Sequence, residues 1–280
     1  MKATLYLIAT PIGNLQDISL RALDTLKNVD LIACEDTRHT GQLLAHFSIK
    51  KKLTSLHQHN EKEKAMFLIK TIKEGGSVAY VSDAGTPAIS DPGAFLVNQA
   101  HLSNLHIVPI PGPSALTTAF SAAGISSNQF QFVGFLPSSQ SKCKQALQDI
   151  LSMNMTTIFY ESPHRVIKTL TAIVDIFGAE QEVVIGRELT KLFESIYKDK
   201  AITLLEHISQ NPNNQKGEFV IILSRTEKKP LAQSDISDAH LLKVLLSELP
   251  LNQAVKLTAT ILKKKKKEVY NQALEIKHDK

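Results

Sequence analysis

The chain has 280 residues, 43% of them apolar and 21% charged, with a formal net charge of +5. That is the composition of an ordinary globular protein, with length enough for two domain cores. Only two cysteines are present, Cys34 and Cys143, which excludes a disulfide framework and a cysteine-based metal site and fits a reducing cytoplasm. The N-terminal apolar run Leu5–Ala9 is cut by Pro11, too short for a signal-peptide core or a membrane span. Charge is unevenly spread: from residue 227 onward eleven Lys face seven acidic residues, leaving +4 there and +1 over the first 226 residues. A localised basic excess suits a phosphate backbone, although a run of lysines is as often a solvated face.

In chain order, Leu5 to Ala9 reads as a buried strand ended by Thr10-Pro11-Ile12-Gly13-Asn14. Asp17 or Ser19 can cap the next segment, where Ile18, Ala22, Leu23 and Leu26 recur at helical spacing. Leu31–Cys34 is a second short strand and delivers Glu35-Asp36-Thr37-Arg38; a short helix over Gln42 to Phe47 and a brief run at Leu53–Leu56 follow. Ala65, Leu68, Ile69 and Ile72 mark an amphipathic helix closed by Gly75-Gly76. The strand Val78–Val81 then feeds the twelve-residue loop Ser82 to Gly93, rich in Gly, Pro, Asp and Ser. A helix to about Ala100 precedes a strand over His106 to Ile110, the turn Pro111-Gly112-Pro113-Ser114, and a helix from Ala115 to Ala123.

Strands alternating with helices imply parallel βαβ units, whose strands all end on one edge of the sheet. The polar clusters 10–14, 35–38, 82–93 and 111–114 therefore converge at one carboxyl edge, the usual ligand edge of an open α/β sheet.

Phe132 to Ser139 reads as an inter-domain crossing. Beyond it lie a helix over roughly Ser141 to Leu151, a strand over Thr156 to Tyr160 ending in Glu161-Ser162-Pro163-His164-Arg165, and a helix stripe from Val166 to Phe177. Strands at Glu182 to Gly186 and around Leu192 to Tyr197, a helix near Ile202 to Ser209, and a strand over Glu218 to Ser224 complete a second, mixed sheet. Glu227 to Ser237 suits a linker, and three short helical patterns follow, with Lys263, Lys264, Lys265, Lys266 and Lys267 between the last two. The fold expected is two α/β domains, the first over 1–132 and mostly parallel, the second over 133–226 and mixed, with a basic helical appendage over 227–280.

Several common sites are absent: there is no Gly-x-Gly-x-x-Gly fingerprint, Walker loop, Gly-x-Ser-x-Gly elbow, His-Glu-x-x-His helix or Cys-x-x-Cys pair. His57 and His59 lack the companions of a metal site, so no metal is expected.

Taken in order, Thr10–Asn14, Glu35–Gly41, Val81–Pro87 with Asp91–Gly93, Pro109–Ser114, Phe159–Arg165, Arg187–Lys191 and Lys216–Glu218 form a set that resembles the bacterial small-subunit (16S) ribosomal RNA cytidine 2′-O-methyltransferases of the tetrapyrrole-methylase superfamily. The resemblance spans about residues 4 to 225 and extends to the helical tail. It implies S-adenosylmethionine in a cleft between the two domains, without the Rossmann glycines, and usually a homodimer. On this resemblance Pro11, Asp83, Ala84, Gly85, Thr86, Ser114 and Ala115 contact the cofactor, with Tyr160 and Glu218 on the opposite wall. Asp91-Pro92-Gly93 reads either as cofactor contact or, with more weight, as the start of the next helix.

Methyl transfer to a ribose hydroxyl needs an aligned oxygen, carbon and sulfur and an exit for the proton. Strand-end candidates are Asn14, Glu35, Asp36, Arg38, Glu161, His164 and Arg165. Asp36 or Glu161 can serve as base, Asn14 can position, and Arg38 or Arg165 can hold a phosphate; each carboxylate is equally suited to a structural ion pair with one of those arginines. The lysine run is expected to bind RNA mainly by charge, since the tail lacks an aromatic stripe. The alternatives are a tetrapyrrole-type small-molecule methyltransferase of the same superfamily and a non-catalytic RNA-binding assembly factor.

Overall fold

The computed structural model describes residues 3–127, 129–225, 238–262 and 264–278. Contacts divide the chain into two compact units, residues 1–226 and 227–280.

The first unit opens with β1 (Thr4–Ile8), α1 (Leu20–Asn28), β2 (Leu31–Cys34), α2 (Thr37–His46), β3 (Leu53–Ser55), α3 (Glu61–Lys73), β4 (Ser77–Val81), α4 (Ala94–Leu102), β5 (His106–Ile110) and α5 (Ala115–Ala122). The five strands form one sheet in the order β3-β2-β4-β1-β5, and every pairing is parallel. The central strands β2 and β4 are buried along their whole length, as a sheet covered by helices on both faces requires. One face packs Leu68, Ile69 and Ile72 of α3 against Val78 and Tyr80; the other packs Ala22 and Leu26 of α1 against Ile8, Ile32, Ala79 and Val81. Ser19, not Asp17, caps α1, accepting from the Ala22 amide at 3.1 Å.

The chain continues through β6 (Phe130–Phe135), α6 (Gln140–Met153), β7 (Thr156–Glu161), α7 (Val166–Phe177), β8 (Glu182–Arg187), β9 (Ser195–Lys200), α8 (Ala201–Gln210) and β10 (Phe219–Leu223). The second sheet has the order β6-β7-β10-β8-β9 and is mixed: β6 runs parallel to β7, the other pairs antiparallel. Two details differ from expectation. Residues 132–135 are not a crossing but part of edge strand β6, whose pairing shifts between Phe132 and Phe135; Gly134, at φ +67°, sits at that irregularity. The strand expected from Leu192 starts only at Ser195, because residues 188–194 form a tight loop with Glu188 at φ +49° and Thr190 at φ +67°.

The two sheets share a cluster in which Ile12 and Ala119 of the first half meet Ile158, Val184, Leu189 and Val220 of the second.

The second unit contains α9 (Asp238–Glu248), α10 (Leu251–Ile261) and α11 (Lys266–His278), packed around Leu242, Val255, Val269 and Ala273. The expected linker over Glu227 to Ser237 lies outside the described residues, as does Lys263. Lys265, Lys266 and Lys267 are exposed. Among the described residues no helix is long and apolar enough to cross a membrane.

Candidate active site

Parallel pairing brings the four polar strand-end loops together, and hydrogen bonds tie them into one frame. Thr10 and Gly85 exchange both backbone bonds at 2.9 Å, and the Thr10 hydroxyl donates to Ser82 O at 3.0 Å. The Asp36 amide donates to Asp83 Oδ1 at 3.0 Å, and the Thr86 hydroxyl to Pro113 O at 3.3 Å. The loops after β1, β2, β4 and β5 thus hold one another.

The loop after β4 takes left-handed backbone at Gly85 (φ +77°), Ala88 (φ +65°), Ser90 (φ +64°) and Gly93 (φ +122°). Ala88 and Ser90 are not glycine, and such conformations cost about 1–3 kcal/mol each. The surroundings hold them in place. The Tyr80 hydroxyl donates to Pro92 O at 2.8 Å, and Glu61 Oε1 accepts from the Gly93 and Phe95 amides at 2.8 and 3.1 Å. Asp91-Pro92-Gly93 leads into α4, as weighted from sequence, but Asp91 itself is not the cap. The N-cap position is Gly93, and Glu61 of α3 satisfies the amides instead.

Freed from capping, Asp91 lines a cleft of about 500 Å³ with Glu35, Asp83, Ala84, Gly85, Thr86, Ser114 and Ala115 on one side. The opposite wall is Phe135, Tyr160, Glu161, Leu189, Glu218 and Val220. That volume lies within the roughly 300–1,000 Å³ usual for small-molecule sites. Burial raises the Asp91 carboxyl to about 6, with the Glu35 and Asp83 charges adding to the shift and the Ser82 hydroxyl opposing it. Burial likewise raises Glu35, with Asp83 adding and His57 opposing. Among the described residues no Lys or Arg pairs with these carboxylates, an arrangement in which added positive charge is favourable.

The expected residues divide. Asp83, Ala84, Gly85, Thr86, Ser114, Ala115, Tyr160 and Glu218 line the cleft, whereas Pro11 is buried and its neighbour Ile12 supplies the wall. Tyr160 is held by Phe132 and Phe135 at ring distances of 4.9 and 5.6 Å, and burial pushes its hydroxyl pKa up. Ser114 sits at the N-cap of α5 without a side-chain capping bond. Glu161 also lines the cleft, but its carboxylate is occupied: it accepts from the Ser162 amide at 2.7 Å, the Thr169 hydroxyl at 2.6 Å and the Arg165 guanidinium at 3.2 Å. Arg165 also donates to Leu136 O and Pro137 O, clamping the segment after β6 rather than facing outward.

Asp36 and Asn14 are not among the lining residues. Asp36 caps α2 through the Arg38 amide and pairs with the Arg38 guanidinium at 2.9 Å; those hydrogen bonds hold its carboxyl at about 2. Asn14 caps the short turn at Leu15 by accepting from the Gln16 amide. Among the described residues no cluster of His, Cys, Asp or Glu could hold a metal. Reading from sequence held Ile89 and Ser90 only as part of the loop Ser82 to Gly93; it missed Phe135 and Leu189, apolar residues with no distinguishing local pattern, and Glu61, whose partner lies 32 residues away.

A parallel sheet and a mixed sheet meeting across an acidic cleft define a two-sheet α/β protein with a cleft of small-molecule size at the carboxyl edge of the parallel sheet. A family model described as Tetrapyrrole (Corrin/Porphyrin) Methylases matches residues 4–205, and one described as RsmI C-terminal HTH domain matches residues 232–277. A Vibrio cholerae protein named ribosomal RNA small subunit methyltransferase I is 47% identical over 271 residues, covering 97% of this chain and 94% of the relative. An Escherichia coli O157:H7 protein of the same name is 46% identical, covering 97% and 94%. Solved structures of diphthine synthase (TM-score 0.61, 16% identity, 79% of this chain and 90% of that one) and a cobalt precorrin-4 methyltransferase (TM-score 0.59, 18% identity, 79% and 95%) share the fold. The chain belongs to the tetrapyrrole methylase family, in the branch that holds the ribosomal RNA small subunit methyltransferase I proteins.

Proposed function

We propose that the protein is an S-adenosylmethionine-dependent methyltransferase that modifies the ribose 2′-hydroxyl of a cytidine in small-subunit (16S) ribosomal RNA. The observation that carries the methyl-donor half is the cleft itself: Glu35, Asp83 and Asp91 line it, burial raises Glu35 and Asp91, and among the described residues no Lys or Arg pairs with the three. A cofactor with a sulfonium and an ammonium supplies positive charge. The RNA half rests on the near full-length likeness to the two relatives named above.

The residues suit the cofactor. Gly85 offers a glycine backbone at φ +77°, Thr86 a hydroxyl, and Ile12, Phe135 and Val220 an apolar surround for a flat ring. When bound, the cofactor supplies an electrophilic methyl group. The chain must then place the acceptor oxygen in line and provide for its proton.

Of Glu35, Asp36 and Glu161, Glu35 is the best placed to take that proton. Asp36, held at about 2 and paired to Arg38, is a weak base; Glu161 has its oxygens engaged by Arg165, Thr169 and Ser162. Glu35 lines the cleft, and burial raises its proton affinity. In this reading Glu161 and Arg165 hold the opposite wall, and Asp36, Arg38 and Asn14 shape loop ends. Exposed Arg38 and the run Lys264 to Lys267 add phosphate contacts. The reading also includes a cytoplasmic homodimer.

The test is to incubate the protein with methyl-labelled cofactor and small ribosomal subunits lacking the modification, then locate the label. Label on a cytidine ribose is expected. Label on a base, or none on RNA, contradicts the reading.

A further inference from the structure

The loop after β8, whose Leu189 lines the cleft, carries two consecutive outward apolar side chains. Leu192 is 90% exposed and Phe193 67% exposed, and being adjacent they form one apolar patch rather than a lone exposed side chain. The loop is neither floppy nor remote. The Thr190 amide donates to Glu194 Oε1 at 2.8 Å, the Glu194 amide to Lys191 O at 3.0 Å, and the Lys191 amide to Glu188 O at 3.0 Å. Phe193 O accepts from Arg187 Nη1 at 3.4 Å and from the Ser195 hydroxyl at 3.2 Å; buried Arg187 is itself fixed by Asn213 O and Lys216 O.

The base of the loop is part of the cleft. Leu189 lines it, and Lys191 binds Glu218, another lining residue, at 2.9 Å. Against the same lysine sits the loop after β1: a Cβ at Gly13 would overlap Lys191 Cγ, and Leu15, two residues on, is exposed. Leu192 and Phe193 thus lie three and four residues after a lining residue, on a loop whose left-handed backbone at Glu188 and Thr190 fixes its course.

We infer that Leu192 and Phe193 form a stacking platform that receives the base of the acceptor nucleotide. The inference rests on the RNA reading above and adds the residues that hold the substrate. A ribose hydroxyl reaches a cleft-bound methyl donor only if its nucleotide leaves the helical stack, which exposes the base faces. An aromatic ring on a preordered loop offers a replacement surface at little entropic cost. Charge is not what the tip offers, because Lys191 is already matched by Glu188 and Glu218 at 2.9 Å each. The platform is therefore apolar and sequence-tolerant, distinct from the phosphate contacts expected of the lysine run.

The test uses full-length protein with Phe193→Ala and Phe193→Trp. Both change an exposed side chain, so the fold and the cofactor affinity should hold, as checked by thermal melting and calorimetry. Phe193→Ala should lower kcat/KM on small ribosomal subunits by about 10- to 100-fold, the range of one lost base stack. Phe193→Trp should retain activity. The chain has no native tryptophan, so its indole is a lone reporter whose emission should change with small subunits and not with S-adenosylmethionine alone. Activity of Phe193→Ala within about twofold of wild type overturns the inference. So does an indole signal that follows protein concentration and ignores RNA, which would assign the tip to a second copy of the chain. A wild-type protein that fails to methylate RNA overturns the reading beneath it; an active wild type beside an unimpaired Phe193→Ala overturns the platform alone.

Discussion

The two sheets present carboxylates at similar strand-end motifs and use them in opposite ways. At the edge of the parallel sheet, Glu35, Asp83 and Asp91 line the cleft with no Lys or Arg partner among the described residues, and burial raises Glu35 and Asp91. At the end of β7, Glu161 is more deeply buried than these half-buried acids, but Arg165, Thr169 and a backbone amide satisfy it, and the same arginine clamps the segment after β6. A buried acid that is fully paired is architecture; one left uncompensated stores a demand for a ligand.

The contrast breaks most sharply under substitution. Glu161→Ala strands the Arg165 guanidinium and the Thr169 hydroxyl and should cost about 3–5 kcal/mol of stability, read as a lower denaturant midpoint at unchanged m-value. Asp91→Asn should do the reverse. It relieves repulsion in the free protein, leaving the melting temperature equal or higher. It should also weaken S-adenosylmethionine binding by about tenfold or more, the ~1.5–3 kcal/mol of a contact to a charged group. Equal stability losses for the two variants would erase the distinction.

A pH series sharpens it. The folded Asp91 carboxyl, at about 6, lies above the ordinary aspartate value of 3.8, so the folded state holds its proton more tightly than the unfolded chain. That contribution is fully present below the unfolded pKa and is lost as pH rises through about 6. Cofactor affinity should run the other way, falling as pH drops below about 6, when the carboxyl becomes neutral. Asp91→Asn should flatten both profiles, whereas the exposed, paired Asp36 should leave no trace in this window. The smallest effect is expected of Ala88→Gly, which relieves left-handed backbone at φ +65° and should change stability by no more than about 1 kcal/mol, in the stabilising direction.

Much of the parallel half was legible in the chain. Short apolar runs alternating with amphipathic stripes imply parallel strands, and from that the convergence of four polar loops follows by topology alone. The role of Asp91 was not legible, because Asp-Pro-Gly before a helix looks like a cap and the true capping acid, Glu61, comes from another helix. Strand β6 escaped because its shifted register and edge position spoil the alternation that marks a strand. Whether Glu161 or Asp36 would be free or paired was equally hidden. Spacings of four and two residues permit an ion pair without requiring one, and only packing decided that both form. Phe193 gave no signal until its exposure could be set beside the cleft.

The account stands on the claim that the uncompensated acids at the parallel edge hold the methyl donor. Titration calorimetry of S-adenosylmethionine into the full-length protein, repeated near pH 6 in buffers of different ionisation enthalpy, tests it directly. The account predicts one site per chain, with protons released on binding in the wild type and not in Asp91→Asn. Binding of unchanged affinity and no proton release in either protein would contradict it.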